Sequence, residues 1–254
     1  MAALLECDAD EIVFTSCGTE SNNAAINSAL QFEPRGKHIV TSAVEHSAVR
    51  RHCEELMKRG CEVTFLRVDE NGDVDLAEVE KAIRPDTAIV SVMWANNETG
   101  VLFPVEKIAE ICRDKRVLFH TDAVQAVGKI PIRLRGSAIN FLSLSAHKLH
   151  GPKGVGALYV KRRAPFLPSV IGGGQENARR AERGRLRTAA EHADQDRELA
   201  HEPVQARKRG RTERTQDEEE REERQAVLKS INKIAVVWQR SRHGAGEIAS
   251  VTDT

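Results

Sequence analysis

From residue 11 to residue 159, short β-rich apolar runs alternate with stretches of helical period, and this alternation restricts the fold more than any other property of the chain. Candidate strands cover 11–15, 38–41, 63–66, 87–92, 117–120, 141–144 and 155–159. Between them Val49, Cys53, Leu56 and Met57 recur at helical spacing, and Gly60 follows as a stop. Leu76, Val79 and Ile83, then Val105, Ile108, Ile111 and Cys112, mark two further amphipathic helices, and Asp69-Glu70-Asn71-Gly72 is a turn. Such a succession buries its apolar faces as a mostly parallel sheet flanked by helices, so the first 160 residues are expected to form one α/β body.

The pattern stops after Gly172-Gly173-Gly174-Gln175-Glu176. From 177 to 224 there is no aromatic residue, and Leu186, Leu199 and Val204 are nearly the only large aliphatics. A stretch of this kind cannot bury enough surface to offset its ordering entropy, so it is expected to be disordered or an irregular helix. The charge run 217–224 reads as solvated. Val227, Leu228, Ile231, Ile234, Ala235 and Trp238 then make one helical apolar stripe, either a docking helix or chance patterning. The expected organisation is therefore a large domain over 1–176, a charged low-apolar segment over 177–224, and a short amphipathic helix with a tail over 225–254.

Lysine and arginine together number 38, as do aspartate and glutamate, so bulk charge argues for neither a nucleic-acid nor a membrane surface. Cys7, Cys17, Cys53, Cys61 and Cys112 lack ligand spacing and suggest neither a zinc site nor a disulfide framework; a reducing cytoplasm fits them.

Five groups carry chemistry. Ser16-Cys17-Gly18-Thr19-Glu20-Ser21-Asn22-Asn23 follows a strand and opens a helix containing Ala24, Ala25, Ile26 and Leu30. Backbone N–H groups and the helix dipole attract an anion there, Gly18 permits close approach, and the Thr19 hydroxyl adds a donor. Taken alone, the segment is better explained as an ordinary capped helix start. Lys148 follows the 141–144 run and precedes Gly151-Pro152-Lys153-Gly154. A lysine at a strand's carboxyl end, flanked by Ser145 and His147, suits imine chemistry, which needs a neutral amine in a partly desolvated, cation-rich site. Asp122, where an apolar strand runs into an acid, suits a protonated pyridine nitrogen and makes that ring an electron sink; a helix N-cap is an equal reading. Gln125, one turn on, can donate to a phenolic oxygen. Trp94-Ala95-Asn96-Asn97-Glu98-Thr99-Gly100 offers amides at the same edge, with plain turn chemistry as the alternative. His46, after the 38–41 run, can stack on a flat ring and move a proton, although a single histidine there is usually structural. Ligands of open parallel sheets bind beyond the strands' carboxyl ends, and all five groups fall there.

Together, Phe14-Thr15-Ser16-Cys17-Gly18-Thr19-Glu20-Ser21, Val44-Glu45-His46, Ser91-Val92-Met93-Trp94-Ala95-Asn96-Asn97-Glu98-Thr99-Gly100, His120-Thr121-Asp122-Ala123-Val124-Gln125-Ala126-Val127-Gly128-Lys129 and His147-Lys148-Leu149-His150 resemble the cysteine desulfurases of the class V aminotransferase fold, of the nitrogen-fixation type. The resemblance runs over about 11–176 and implies the large domain of a type I transferase that uses pyridoxal 5'-phosphate (PLP). It implies a Schiff base on Lys148, phosphate contacts from Gly18, Thr19, Ser145 and His147, and ring stacking by His46. It further implies a pyridinium partner in Asp122, a phenolate contact from Gln125 and a substrate-carboxylate contact from Asn97. Such enzymes take sulfur from L-cysteine, release alanine and pass the sulfur as a persulfide to an iron–sulfur scaffold protein, and they act as homodimers. A selenocysteine lyase or another class V aminotransferase shares these cofactor motifs, and an inactive fragment or a binding module using 177–254 is the alternative of another class.

The resemblance also implies features that this sequence lacks. Where the family has Gly-Thr-Glu-Asn after a basic run, its threonine reaching the partner subunit's cofactor phosphate, Arg179-Arg180-Ala181 is followed here by Glu182-Arg183. No cysteine follows Cys112 to match the persulfide-forming loop cysteine, and Cys17 lies beside the phosphate-binding turn rather than on a mobile loop. A segment that precedes the first strand in the family is also expected to be missing. The expectation is that chemistry at the substrate Cα is partly retained and sulfur transfer lost, through a reading-frame shift near Glu176, with fusion to a disordered tail as the competing account.

Overall fold

Each of the seven apolar runs becomes a strand, because each is too short for a buried helix and is bounded by turn residues. In a computed structural model the described residues are 1–32, 36–172 and 178–180, all within one compact unit, Met1–Ala200. The division at 176, the charge run and the apolar stripe at 227–238 lie outside the described residues.

In chain order the elements are α1 (Ala2–Leu5), β1 (Ile12–Thr15), α2 (Gly18–Phe32), β2 (His38–Ser42), α3 (Ser47–Lys58), β3 (Glu62–Leu66), α4 (Leu76–Ala82), β4 (Thr87–Ser91), α5 (Val105–Asp114), β5 (Leu118–Asp122), β6 (Phe141–Ser145) and β7 (Gly156–Val160). Single 3-10 turns at Ala9–Glu11 and Ala146–Lys148 complete the chain. Two helix starts are capped by side chains. Asp75 accepts the Ala77 N–H at 2.8 Å ahead of α4, and His46 Nδ1 accepts the Ala48 N–H at 3.1 Å ahead of α3. After α3, Gly60 takes the positive φ of 88° that closes the helix.

The sheet order is β1-β7-β6-β5-β4-β2-β3. β3, β2, β4, β5 and β6 run parallel; helices join the strands from β2 to β5, and the helix-free stretch 123–140 carries the chain from β5 to β6. The last strand departs from the expectation of βα units: no helix separates β6 from β7, only residues 146–155, so the chain doubles back. β7 therefore lies antiparallel between β6 and β1, and β1 again points the same way as β6. All carboxyl ends but that of β7 thus share one edge.

Strand residues alternate between two buried faces. Ile39, Ile89, Phe141 and Leu158 pack with Ala25, Ile26 and Ala29 of α2 and with Val49 and Cys53 of α3. Val40, Val90, Leu142 and Tyr159 pack on the other face with Val79 of α4 and with Val105, Ile108 and Cys112 of α5. Two assignments change at helix ends. Met57, read as part of the apolar stripe, is 46% exposed, because it lies one position past Leu56 and rotates off the buried face. Ile83 is extended with ψ 118° and follows α4 rather than belonging to it.

Candidate active site

Beyond the shared carboxyl edge lies an open cleft. Gly18, Thr19, His46, Asn97, Asp122, Gln125, Ser145, His147 and Lys148, singled out above from separate motifs, all line it. Cys17, Asn22, Ala48, Met93, Ala95 and Val124 complete its wall.

At one end, the β1–α2 turn brings the first residues of α2 to the cleft. A Cβ on Gly18 would lie 2.8 Å from Val124 Cγ2, so glycine is what lets this helix end seat against the loop after β5. Beside Gly18, whose Cβ position is 3.5 Å from Ser145 Cβ, Ser145 ends β6 with its Oγ 2.8 Å from His147 Nδ1. Free helix N–H groups, the Thr19 hydroxyl and the Ser145–His147 pair form a donor set that suits a phosphate.

Asp122 is the last residue of β5, and since no helix follows it the N-cap reading does not hold; both carboxylate oxygens are nonetheless occupied. Its Oδ1 accepts the Val124 N–H at 3.0 Å, as a turn cap would, while Oδ2 accepts from Asn22 Nδ2 at 2.7 Å. The carboxylate is only 6% exposed. Burial raises its pKa; the bonds from Val124 and Asn22 and the charge of His46 oppose that rise. A cation facing it would favour the anion further. Asn22, which sequence reading missed, was detectable: it lies three residues beyond Thr19, on the same face of α2.

His46 is exposed at the cleft. Its Nδ1 is occupied as the acceptor for Ala48, so a neutral ring carries its proton on Nε2. Gln125 is half-buried, and its Oε1 accepts from Lys129 Nζ at 2.5 Å. A lysine only donates, so this bond fixes the amide with its Nε2 free to donate. Burial, with the charge of Lys148 adding to it, lowers the Lys129 pKa. Asn97 is half-buried and bonds to Glu98.

Lys148 does not sit in the partly desolvated position expected from the sequence. It follows β6 in the 3-10 turn Ala146–Lys148 and is exposed, because β6 ends three residues earlier and its burial ends with it. The turn itself is tightly held. Leu149 and Gly151 both donate backbone N–H groups to the Ala146 carbonyl, at 2.8 and 2.9 Å. A Cβ on Gly128 would lie 2.5 Å from Leu149 Cδ2, so Leu149 is packed down beside the lysine.

Beneath the cleft two further ionisable groups are buried. His120, wholly buried in β5, bonds through Nδ1 to Ser91 Oγ at 2.8 Å and through Nε2 to Ser143 Oγ at 2.9 Å. Burial pushes its pKa down to about 3, so it is a neutral cross-link between β4, β5 and β6. Glu45, next to His46, is pushed up to about 8, first by burial and further by the charge of Asp122, against the bonds it accepts. Among the described residues no group of acids, histidines and cysteines is arranged to hold a metal ion, and no helix is long and apolar enough to cross a membrane.

Comparison with known proteins gives the same direction. The aminotransferase class-V family model matches residues 1–206. Over 181 residues the chain is 54% identical to cysteine desulfurase 2 of Trichormus variabilis, covering 71% of this chain and 46% of that protein. Over 171 residues it is 54% identical to the cysteine desulfurase NifS of Azotobacter vinelandii, covering 67% of this chain and 42% of that protein. The chain therefore spans somewhat less than half the length of these relatives. Among solved structures, a NifS-like protein superposes with a TM-score of 0.70 at 40% identity, covering 78% of this chain and 57% of the other. SspA in complex with cysteine superposes with a TM-score of 0.69 at 37% identity, covering 78% and 61%.

Proposed function

The chain belongs to the aminotransferase class-V family, and we propose that its matched region is the cofactor-binding body of a PLP-dependent cysteine desulfurase acting on L-cysteine. The observation that carries this reading is the convergence of nine residues from five separate motifs on one cleft at the carboxyl edge of the sheet. The donor set fits PLP: a helix start cleared by Gly18 for an anion, and an acid, Asp122, for a ring nitrogen.

In this reading Gly18, Thr19, Ser145 and His147 hold the phosphate, Asp122 pairs with the ring nitrogen, Gln125 donates to the phenolic oxygen, and His46 stacks on the ring. When bound, PLP supplies an electrophilic carbon for amine capture and a ring that takes up the electron pair released at the substrate Cα. Lys148 would supply the amine that anchors the group and a base for the Cα proton. His46 has Nδ1 tied to Ala48, which leaves Nε2 to pass a proton near the sulfur. Asn97 binds the substrate carboxylate. The solved relative holding cysteine supports L-cysteine as substrate. Turning L-cysteine into alanine requires a thiol to take the sulfur as a persulfide, and no cysteine of this sequence after Cys112 matches the family's loop cysteine, so in this reading the chemistry at Cα is kept while sulfur transfer to an iron–sulfur scaffold protein is lost. The working unit is a homodimer.

The test is direct. Purified chain mixed with PLP should develop the absorption band of lysine-bound PLP, absent from Lys148→Ala, and should release alanine from L-cysteine only when an added thiol is present to take the sulfur as a persulfide. No band in the parent chain, or an equal band in Lys148→Ala, refutes the reading.

A further inference from the structure

His46 is exposed on a turn between β2 and α3, and its own bond to Ala48 lies within that turn. Something else must hold the turn over the cleft, and the neighbouring residue is built for it. Glu45 is 7% exposed. Its Oε1 accepts two hydrogen bonds, from Ser42 Oγ at 2.8 Å and from the Met93 N–H at 2.8 Å. Ser42 ends β2, whereas Met93 lies just past the end of β4 and lines the cleft. One oxygen thus joins the two strand ends between which His46 emerges. A second tie runs parallel to it, from Asn96 Nδ2 to the Val44 carbonyl at 3.2 Å.

A buried carboxyl is an expensive way to make such a joint. Its other oxygen, Oε2, is buried with no hydrogen-bond partner among the described residues. Asp122 and the buried Cys53 interact electrostatically with Glu45, and His46 adjoins it in the chain. A carboxyl that keeps its proton on Oε2 avoids a second anion beside Asp122 while Oε1 still accepts both bonds. Glutamine has the same shape, with an amide nitrogen in place of Oε2 and an acceptor in place of Oε1.

We propose that Glu45 is the positioning residue for His46, its Oε1 pinning the turn that carries the histidine to the cleft end of β4. The inference rests on the functional reading above for what His46 does, but not for where the turn is held, so it has a readout that needs no PLP. In hydrogen exchange on the full chain, the Ala48 and Met93 amides should remain protected in Glu45→Gln. They should exchange about tenfold faster or more in Glu45→Ala, which loses both bonds. Glu45→Asp, one methylene too short to reach both partners, should fall between them and serves if the alanine variant does not fold. Equal protection in all variants, or a glutamine variant as unprotected as the alanine one, overturns the proposal.

The second arm is a double-mutant cycle read by PLP titration. Glu45→Ala should weaken PLP binding about tenfold in the parent chain but less than about twofold in a His46→Ala background, since the effect passes through the ring that is then absent. An equal loss in both backgrounds overturns the positioning role. If the parent chain forms no lysine-bound PLP, the functional reading fails, and the exchange arm still decides the role of Glu45.

Discussion

An alanine at position 156 would place its Cβ 2.5 Å from the carbonyl carbon of Cys17 and 2.8 Å from both Cys17 Cα and Cys17 O. Ordinary contacts between such atoms are about 3.5–4.0 Å, so the missing distance is roughly 1 Å. The obstructing atoms are all backbone, and no side chain can rotate out of the way. Gly156 is fixed from both sides, opposite Thr15 of β1 and Ser145 of β6, so relief requires the β1–α2 turn to move outward from the sheet. Overpacking of this kind costs about 1–3 kcal/mol. At about 2–4 °C per kcal/mol for a domain of this size, the melting temperature of Gly156→Ala should fall by roughly 2–12 °C. The displaced turn is the one that presents Gly18 and Thr19, and a misplacement of about 1 Å in a binding constellation can cost up to about 100-fold. Gly156→Ala should therefore lose affinity for PLP by more than it loses for pyridoxal, which lacks the phosphate. Thermal melting followed by circular dichroism and titration with both ligands measure the two effects. A variant that melts within about 1 °C of the parent and binds PLP equally well would refute the argument that Gly156 seats the anion turn.

Two of the buried ionisable groups, His120 and Glu45, predict opposite slopes of stability against pH. His120 has a folded pKa of about 3 against an ordinary 6.5, so the unfolded chain takes up its proton first, and stability falls as pH drops from about 6.5 towards 3. Glu45 has a folded pKa of about 8 against an ordinary 4.5, so the unfolded chain ionises first, and stability falls as pH rises from about 4.5 towards 8. Urea unfolding across this range should show loss at both ends, with Glu45→Gln flattening the limb between about 6.5 and 8; a parent chain equally stable at both of those values would contradict the assignment. For the cysteines, burial pushes Cys7 up to about 11 and Cys53 and Cys112 up to about 12, whereas Cys17 lines the cleft. Iodoacetamide at pH 8 should therefore label Cys17 before those three, and bound PLP should slow that labelling. Mass-spectrometric mapping that found Cys53 or Cys112 modified first would be the contrary result.

The alternation of apolar runs settled from the sequence that this chain makes an α/β sheet, because period 2 and period 3.6 cannot be exchanged without turning apolar faces to water. The site residues were legible for a related reason. The residues that line the cleft lie at or after the carboxyl ends of strands, and parallel strands send their following loops to one edge, so separate motifs had to meet. The direction of β7 was not legible, since strand composition is the same for either orientation and the short 146–155 connection decided it. Nor could the sequence set the environment of individual side chains. Lys148 proved exposed although it follows a buried strand, and Glu45, to which the sequence assigned no role beside His46, is buried against β4. Burial and hydrogen-bond partners depend on residues 29 to 100 positions away, as in Ser91–His120 and Asn22–Asp122. Local pattern fixes which elements form, and only their packing fixes which charges are desolvated.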